Sequence, residues 1–424
     1  MTSEPAEVFV WTWAPGAVEP VVAGRVVPEG KRYDFAYGRS YLERADTIPL
    51  YLPELPLKRG RQQPLGNLDM TNCLRDGLPD RWGRRVIINR LTGLKGEAAA
   101  NTEFSDLTYM LHSGSDRIGA LDFQTSATEY TPRDEGNASL DDLAAFAELV
   151  EAGAPVPPEL AQAILHGSSI GGARPKALLD DGGRKLIAKF WASNDVFSMV
   201  KAEFIAMRLA QRAGINVAPV AILRAMEKDA LIVERFDRVA QPGGQFARRA
   251  MVSALTIFGA NEISAHHCSY VELADAIRAR FTNPRETLHE VFLRMVFNIL
   301  VGNTDDHARN HAAFWDGKLL TLTPAYDIAP QIRAGYEANQ AILISETDRR
   351  SRLATCLAAA EKFHLRSGEA RAIVDGAIDT IVRHWQVVCD EAQLSEVERK
   401  AFAGRQFFNP YAFDEFGAAP ILRR

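Results

Sequence analysis

Asp305 and Asn310 stand five residues apart in Gly302-Asn303-Thr304-Asp305-Asp306-His307-Ala308-Arg309-Asn310. D-x-x-x-x-N is the spacing of a phosphoryl-transfer loop. There the carboxylate orients or deprotonates an attacking hydroxyl, and the amide oxygen holds Mg²⁺. The spacing alone arises often by chance. A further carboxylate, Asp327, follows seventeen residues after Asn310 in Tyr326-Asp327-Ile328-Ala329-Pro330, just past an expected strand at 319–322. Mg²⁺ takes a few oxygen ligands with phosphate and water, which Asn310 and Asp327 can supply. The plainer alternative is that Asp327 caps a turn before Pro330. Asp306 adds a carboxylate beside Asp305, and spacing selects Asp305 as the base, because it alone makes the five-residue step to Asn310.

Upstream lies His166-Gly167-Ser168-Ser169-Ile170-Gly171-Gly172-Ala173-Arg174-Pro175-Lys176. Small residues let backbone N–H groups approach an anion closely. The stretch is neither a Walker A loop, since Ala173 stands where Lys would be, nor a G-x-G-x-x-G loop. As a loop opening a β-hairpin it could still lie over nucleotide phosphates. Lys189 ends the apolar run 186–188, as a phosphate-pairing strand lysine does, and Glu203 on the next helix is a candidate to orient it. Leu231 to Asp237 then reads as a strand running into a connector whose backbone would hold adenine. Taken singly, each feature has an ordinary structural reading. Their order along the chain, loop, lysine, glutamate, hinge, Asp/Asn loop and metal Asp, is that of a protein kinase.

The elements that must position these residues divide the chain unevenly. Residues 1–124 read as β-rich, with runs at 8–13 and 18–27 and prolines at 49, 53, 56 and 64, then a helix from Leu78 to Leu91 with Pro79 and Asp80 in its first turn. Its arginines (Arg81, Arg84, Arg85, Arg90) predict a solvated face or contact with an acidic partner. A polar linker spans 125–139, and Ser139 caps a helix over 140–153. A second short helix is expected over 158–166. Lys176–Leu179 and Lys185–Phe190 flank Asp-Asp-Gly-Gly and predict a hairpin. Helix 196–213, closed by Gly214, precedes strands at 217–223 and 229–236. From about 250 the chain is mainly helical, broken at 302–329.

The chain has 424 residues, 47% hydrophobic and 24% charged, with a net charge of −5. That suits a folded protein of two or three domains and excludes a histone-like or membrane-coating character. No apolar run reaches a membrane-spanning length, and the N-terminal stretch lacks the pattern of a signal peptide, so a cytoplasmic location is expected. The four cysteines form no CxxC pair, which argues against structural zinc and a disulfide framework.

Other chemistries fit less well. Gly167-Ser168-Ser169-Ile170-Gly171 satisfies G-x-S-x-G, but a nucleophile elbow needs a strand before it and a helix after it. His307 and His311 are four apart without the Glu of H-E-x-x-H, so His307 is read as orienting the loop. His266-His267-Cys268 is another possible metal cluster, though neighbouring helical residues point apart. A non-catalytic, kinase-like binding protein in a repressor complex is the alternative function. The presence of Lys189, Asp305, Asn310 and Asp327 argues against it.

Several segments together resemble the HipA-type serine/threonine kinases, toxins of HipBA-like toxin–antitoxin systems. They are Leu78-Pro79-Asp80-Arg81-Trp82-Gly83-Arg84, Asp116-Arg117-Ile118-Gly119-Ala120-Leu121, the 168–176 loop, Asn303 to Asn310, and Tyr326 to Pro330. The resemblance covers nearly the whole chain. It implies an α+β, two-lobed protein-kinase-like fold. A β-rich N-terminal accessory subdomain (1–124) would precede a kinase N-lobe (140–240) and a mainly α-helical C-terminal lobe (241–424). It implies ATP and Mg²⁺ as cofactors and Asp305 as catalytic residue. Asn310 and Asp327 would be Mg²⁺ ligands. ATP would be bound by Ser168, Ser169, Ile170, Gly171, Gly172, Ala173, Lys176, Lys189, Glu234, Arg235, Phe236, His307, Asn310 and Asp327. Ser169 matches the family's autophosphorylated serine, and a phosphate there would crowd a loop built for ATP phosphates. The implied partners are a helix-turn-helix antitoxin (HipB-like) and a protein substrate such as an aminoacyl-tRNA synthetase. Operator DNA would be met mainly through the antitoxin, with Lys58-Arg59-Gly60-Arg61 as a secondary contact.

Overall fold

The computed structural model describes residues 4–94, 101–133, 138–154, 156–157, 160, 167–168, 172–333 and 335–422. The chain forms two compact units. One comprises 1–194, 223–252 and 314–318, the other 195–222, 253–313 and 319–424.

The first unit opens with β1 (Val8–Thr12), β2 (Val21–Glu29), β3 (Arg32–Tyr37), β4 (Arg61–Gln62) and, later, β5 (Leu121–Gln124). They form an antiparallel sheet in the order β4-β3-β2-β1-β5. Helix α1 (Arg81–Thr92) starts three residues later than the sequence pattern predicts, because Asp80 keeps an extended backbone and serves as N-cap. Its arginines are not simply solvated. Arg84 pairs with Asp106 at 2.7 Å and covers the Tyr109 ring, Arg85 donates to the Glu151 carbonyl, and Arg90 donates to that of His112. Helix α2 (Asp106–His112) supplies several of these partners. Helix α3 (Leu140–Glu151) is closed by the predicted Ser139 cap, with Asp142 completing a capping box. The expected helix over 158–166 lies almost wholly outside the described residues.

Next come β6 (Lys176–Asp181) and β7 (Arg184–Lys189), the predicted hairpin. Gly182 and Gly183 both take positive φ, as a two-residue primed turn requires. With β8 (Val220–Ala225) and β9 (Lys228–Glu234) they form a sheet in the order β6-β7-β9-β8. One apolar core joins this sheet to the preceding helices: Trp82 and Val86 of α1, Phe146 and Val150 of α3, and Ala188 and Ile232 of the sheet. The N-terminal part thus shares a core with the sheet that carries Lys189.

The second unit is mainly helical. Helix α4 (Met199–Arg212) begins later than predicted because the Ser198 hydroxyl caps it by accepting the Lys201 N–H. Lys201 and Arg208 tie it to the end of the 25-residue helix Ser367–Glu391. Helix α5 (Tyr270–Arg280) and helix α6 (Pro284–Leu300) form its centre. The second half of α6 is buried on every side, which explains its nearly unbroken apolar sequence from Val291 to Leu300. Gly302 follows at φ +70, where a Cβ would stand 2.5 Å from the Gln406 carbonyl oxygen. Only glycine can make that turn out of the helix and into the Asp/Asn segment. All four cysteines are buried free thiols. Among the described residues no helix is long and apolar enough to cross a membrane.

Candidate active site

Asp305, Asp306, His307 and Asn310 lie together on one loop of the second unit. Asp306 is almost fully buried. Its Oδ1 accepts from His311 Nε2 at 2.9 Å, and its Oδ2 accepts the Tyr270 hydroxyl in a short bond. Burial, then the Asp306 charge, holds the Tyr270 phenol well above its usual range, so the hydroxyl stays a donor. Behind these lie Asn298, Asn303 and Gln340. Asn303 Nδ2 donates to Asn298 Oδ1 at 3.0 Å, and Gln340 Nε2 donates to the Asn303 carbonyl at 3.0 Å. Asp306 therefore points into the protein and fastens the loop.

Asp305 points the other way. It is solvent-exposed. Partial desolvation nonetheless pushes its carboxyl upward, and the Asp327 and Asp306 charges add to this while His307 opposes it. Asp305 and Asp327 are thus electrostatic neighbours whose repulsion a cation would relieve. Asn310 Nδ2 donates to the Asp305 backbone carbonyl at 3.1 Å, which fixes the orientation of its amide. The Asn310 N–H closes a turn on the His307 carbonyl at 2.8 Å. Asp327 sits in the left-handed region at φ +59. The segment before it is pinned by Ala325, which exchanges backbone bonds with Asn216 and Ala218, and by the Tyr326 hydroxyl on the Arg309 carbonyl. An amide oxygen from Asn310 and the Asp327 carboxylate, beside a second carboxylate in Asp305, are hard oxygen donors of the kind that Mg²⁺ takes.

In the first unit, the antiparallel register sets Lys176 directly opposite Lys189. A Cβ added to Gly172 would meet Lys176 Nζ at 2.1 Å, so that ammonium lies against the backbone at the end of the glycine-rich loop. Two lysines on facing strands beside such a loop make a setting for an anion. Ala173 is exposed and Ser168 fully buried. Ser169, Ile170 and Gly171 lie outside the described residues. Gly167 and Ser168 are helical and β6 follows shortly after, so the strand-to-helix setting of a nucleophile elbow is lacking. At the expected hinge, Glu234 ends β9 and the Phe236 ring packs edge-on against Phe314. The Arg235 guanidinium is buried, paired with Asp237 at 2.9 Å and donating to the carbonyls of Asp116 and Arg117. That leaves Arg235 only backbone atoms for a nucleotide. In the second unit, Glu203 is buried on α4.

His266 and His267 lie exposed on a single turn while Cys268 is buried, and among the described residues no group of three His, Cys, Asp or Glu could hold a metal ion. The sequence reading missed Tyr270, Asn298 and Gln340, and it took Asn303 only as part of the loop, without a role. Their side chains are polar and buried, but nothing in their spacing marks them.

The HipA N-terminal domain profile matches residues 17–124, and the HipA-like C-terminal domain profile matches residues 168–385, just over half of the chain. The chain belongs to the HipA family. The serine/threonine-protein kinase toxin HipA of Shewanella oneidensis is 30% identical over a stretch covering 38% of this chain and 42% of that relative. The match thus spans less than half of that protein. A Sinorhizobium fredii relative, Y4mE, is 25% identical over 69% of this chain and 71% of its own length. HipA from Shewanella oneidensis, solved in complex with HipB and operator DNA, matches with a TM-score of 0.70 at 20% identity, covering 93% of both chains. The α+β, kinase-like fold expected from the sequence is the fold of this HipA-family chain.

Proposed function

We propose that this chain is an ATP-dependent serine/threonine protein kinase and the toxin of a bacterial toxin–antitoxin system. The observation that carries the reading is the divergence of two adjacent carboxylates. Asp306 is consumed by Tyr270 and His311, while Asp305 stays accessible beside Asp327, with its backbone held by Asn310. Asp305 then accepts or orients the substrate hydroxyl proton. Asn310 Oδ1 and Asp327 would hold Mg²⁺, which supplies charge neutralisation on the transferring phosphates. Lys189 and Lys176 would pair with phosphate oxygens, His307 would steady the loop that carries Asp305, and the backbone from Glu234 to Phe236 would hold adenine. Catalysis on this reading is mainly positioning and electrostatics.

Ser169 is the proposed self-modification site. A small helix-turn-helix antitoxin, HipB-like, is the proposed partner, supported by the HipB and operator DNA bound to the Shewanella relative. Operator DNA would be reached mainly through that partner, since Arg61 of the basic patch already pairs with Glu29 at 2.6 Å. The proposed substrate is a translation-related protein such as an aminoacyl-tRNA synthetase, and the proposed location is cytoplasmic. Titrating ATP with and without Mg²⁺ tests the site. Mg²⁺ should tighten ATP binding to the wild type and lose that effect in Asp327→Asn. A wild type that binds neither ATP nor MgATP would refute the reading.

A further inference from the structure

The N-terminal part of the chain reaches the glycine-rich loop through helix α1. Asp80 is the N-cap of this helix, yet its carboxylate makes no bond to the helix's own first turn. Instead Asp80 Oδ2 accepts the Gly172 N–H at 2.7 Å. Trp82, in the first turn, donates its backbone N–H to the Gly172 carbonyl at 3.1 Å. Both backbone groups of Gly172 are therefore held by one helix start, whose N–H groups have no partner within the helix. The Trp82 indole donates to the Lys176 carbonyl at 2.9 Å, fixing the start of β6 as well.

The other described end of the loop is held from the same side. The Ser168 hydroxyl accepts the Gly114 N–H at 3.0 Å. Gly83 lies so close that a Cβ there would stand 2.7 Å from the Ser168 carbonyl oxygen. A second grip falls on the hinge segment. Asp237 Oδ2 accepts the Gly119 N–H at 2.7 Å, and Arg238 donates to Asp116 and to the Gly119 carbonyl. The two N-terminal segments around 78–84 and 116–121 thus touch the two places where a nucleotide is expected.

We propose that Asp80 is a positioning residue for the phosphate loop, so that the N-terminal part of the chain sets nucleotide affinity without touching the nucleotide. The proposal rests on the reading of 168–176 as a phosphate-binding loop. A loop that presents backbone N–H groups to an anion binds well only when its ends are fixed beforehand, since otherwise ordering it is charged against binding. Asp80 fixes the Gly172 end through a charge-assisted bond, and the close packing of Gly83 fixes the Ser168 end.

The test uses the full chain and two probes, MgATP and adenosine, the second having no phosphates for the loop to hold. Asp80→Ala should weaken MgATP about tenfold, the scale of one charge-assisted hydrogen bond, and leave adenosine affinity within about twofold. Asp80→Asn, whose amide oxygen can still accept the Gly172 N–H, should recover most of the loss. Gly83→Ala changes no charge, and its Cβ would stand 2.7 Å from both the Pro79 Cβ and the Ser168 carbonyl oxygen, so it should weaken MgATP selectively by displacing Ser168. Equal MgATP affinity in wild type and Asp80→Ala would overturn the proposal. So would a parallel fall for MgATP and adenosine, which is the mark of general unfolding. If Asp80→Ala does not fold, wild-type MgATP binding by both Asp80→Asn and Gly83→Ala overturns it. A wild type that gains no affinity from the phosphates refutes the phosphate-loop reading itself, and this inference with it.

Discussion

Replacing Asp306 should damage the fold, whereas replacing Asp305 should damage the chemistry. Asp306 is 1% exposed and accepts from both the Tyr270 hydroxyl and His311 Nε2. Asp306→Ala removes both acceptors and leaves two buried polar groups unsatisfied. Breaking a buried, hydrogen-bonded group in this way costs about 3 kcal/mol. In a unit of this size that lowers the melting temperature by about 6–12 °C. Asp305→Asn should not lower it at all. The Asp305 carboxyl is pushed above its usual range, so its ionised form costs stability once pH exceeds that range, and a neutral amide removes the cost. The same Asn variant should lose phosphate transfer by about 10²–10⁴-fold, the usual contribution of a positioned base. Thermal melts and label transfer from γ-labelled ATP, measured where every variant is folded, separate the two roles. The reasoning fails if Asp306→Ala melts like wild type, or if Asp305→Asn transfers phosphate at the wild-type rate.

Other expectations concern the scaffold. Glu54 accepts the N–H groups of Asn72 and Cys73, yet burial lifts its carboxyl from 4.5 to about 7, the Cys73 N–H bond only partly opposing this. The folded state then binds its proton more tightly than the unfolded one. Stability should fall by about 3 kcal/mol as pH rises from 4.5 to about 7, and Glu54→Gln should flatten that slope in melts between pH 5 and 8. Gly302→Ala, forced to positive φ with its Cβ 2.5 Å from the Gln406 carbonyl oxygen, should cost about 2–4 kcal/mol and reduce soluble yield. Wild-type yield and melting would show that the backbone there can move. A fragment beginning at Ser139 loses Trp82 and Val86 from the shared core and should bind a hydrophobic dye or aggregate. A cooperative, dye-free melt of that fragment would contradict the shared core.

Much of the fold was legible because local chemistry and tertiary packing agree. The hairpin at 176–189 follows from Asp-Asp-Gly-Gly between apolar runs, and Gly182 and Gly183 adopt the backbone that such a turn needs. Ser139 caps its helix as read. Helix starts were misplaced where a cap lay inside the apolar pattern: Ser198 begins α4 although the periodic run opens earlier, and Asp80 delays α1. The arginines of α1 looked solvated because their partners, Asp106 and the carbonyls of His112 and Glu151, lie far away in sequence. In the candidate site, residue type alone could not separate Asp305 from Asp306. Their different environments come from Tyr270, 36 residues earlier, and from Asp327 beyond the loop. The segments around 80 and 117 stood out by resemblance, but their contacts with Gly172 and Asp237 exist only after folding.

The most direct test of the kinase assignment is a time course of intact mass, with wild type and Asp305→Asn incubated in MgATP. The account predicts a phosphate adduct that grows on the wild type, maps to Ser169, and is absent from Asp305→Asn. An adduct that grows equally on both proteins, or a wild type that starts unmodified and gains no phosphate on itself or on any protein of a cell extract, would contradict it.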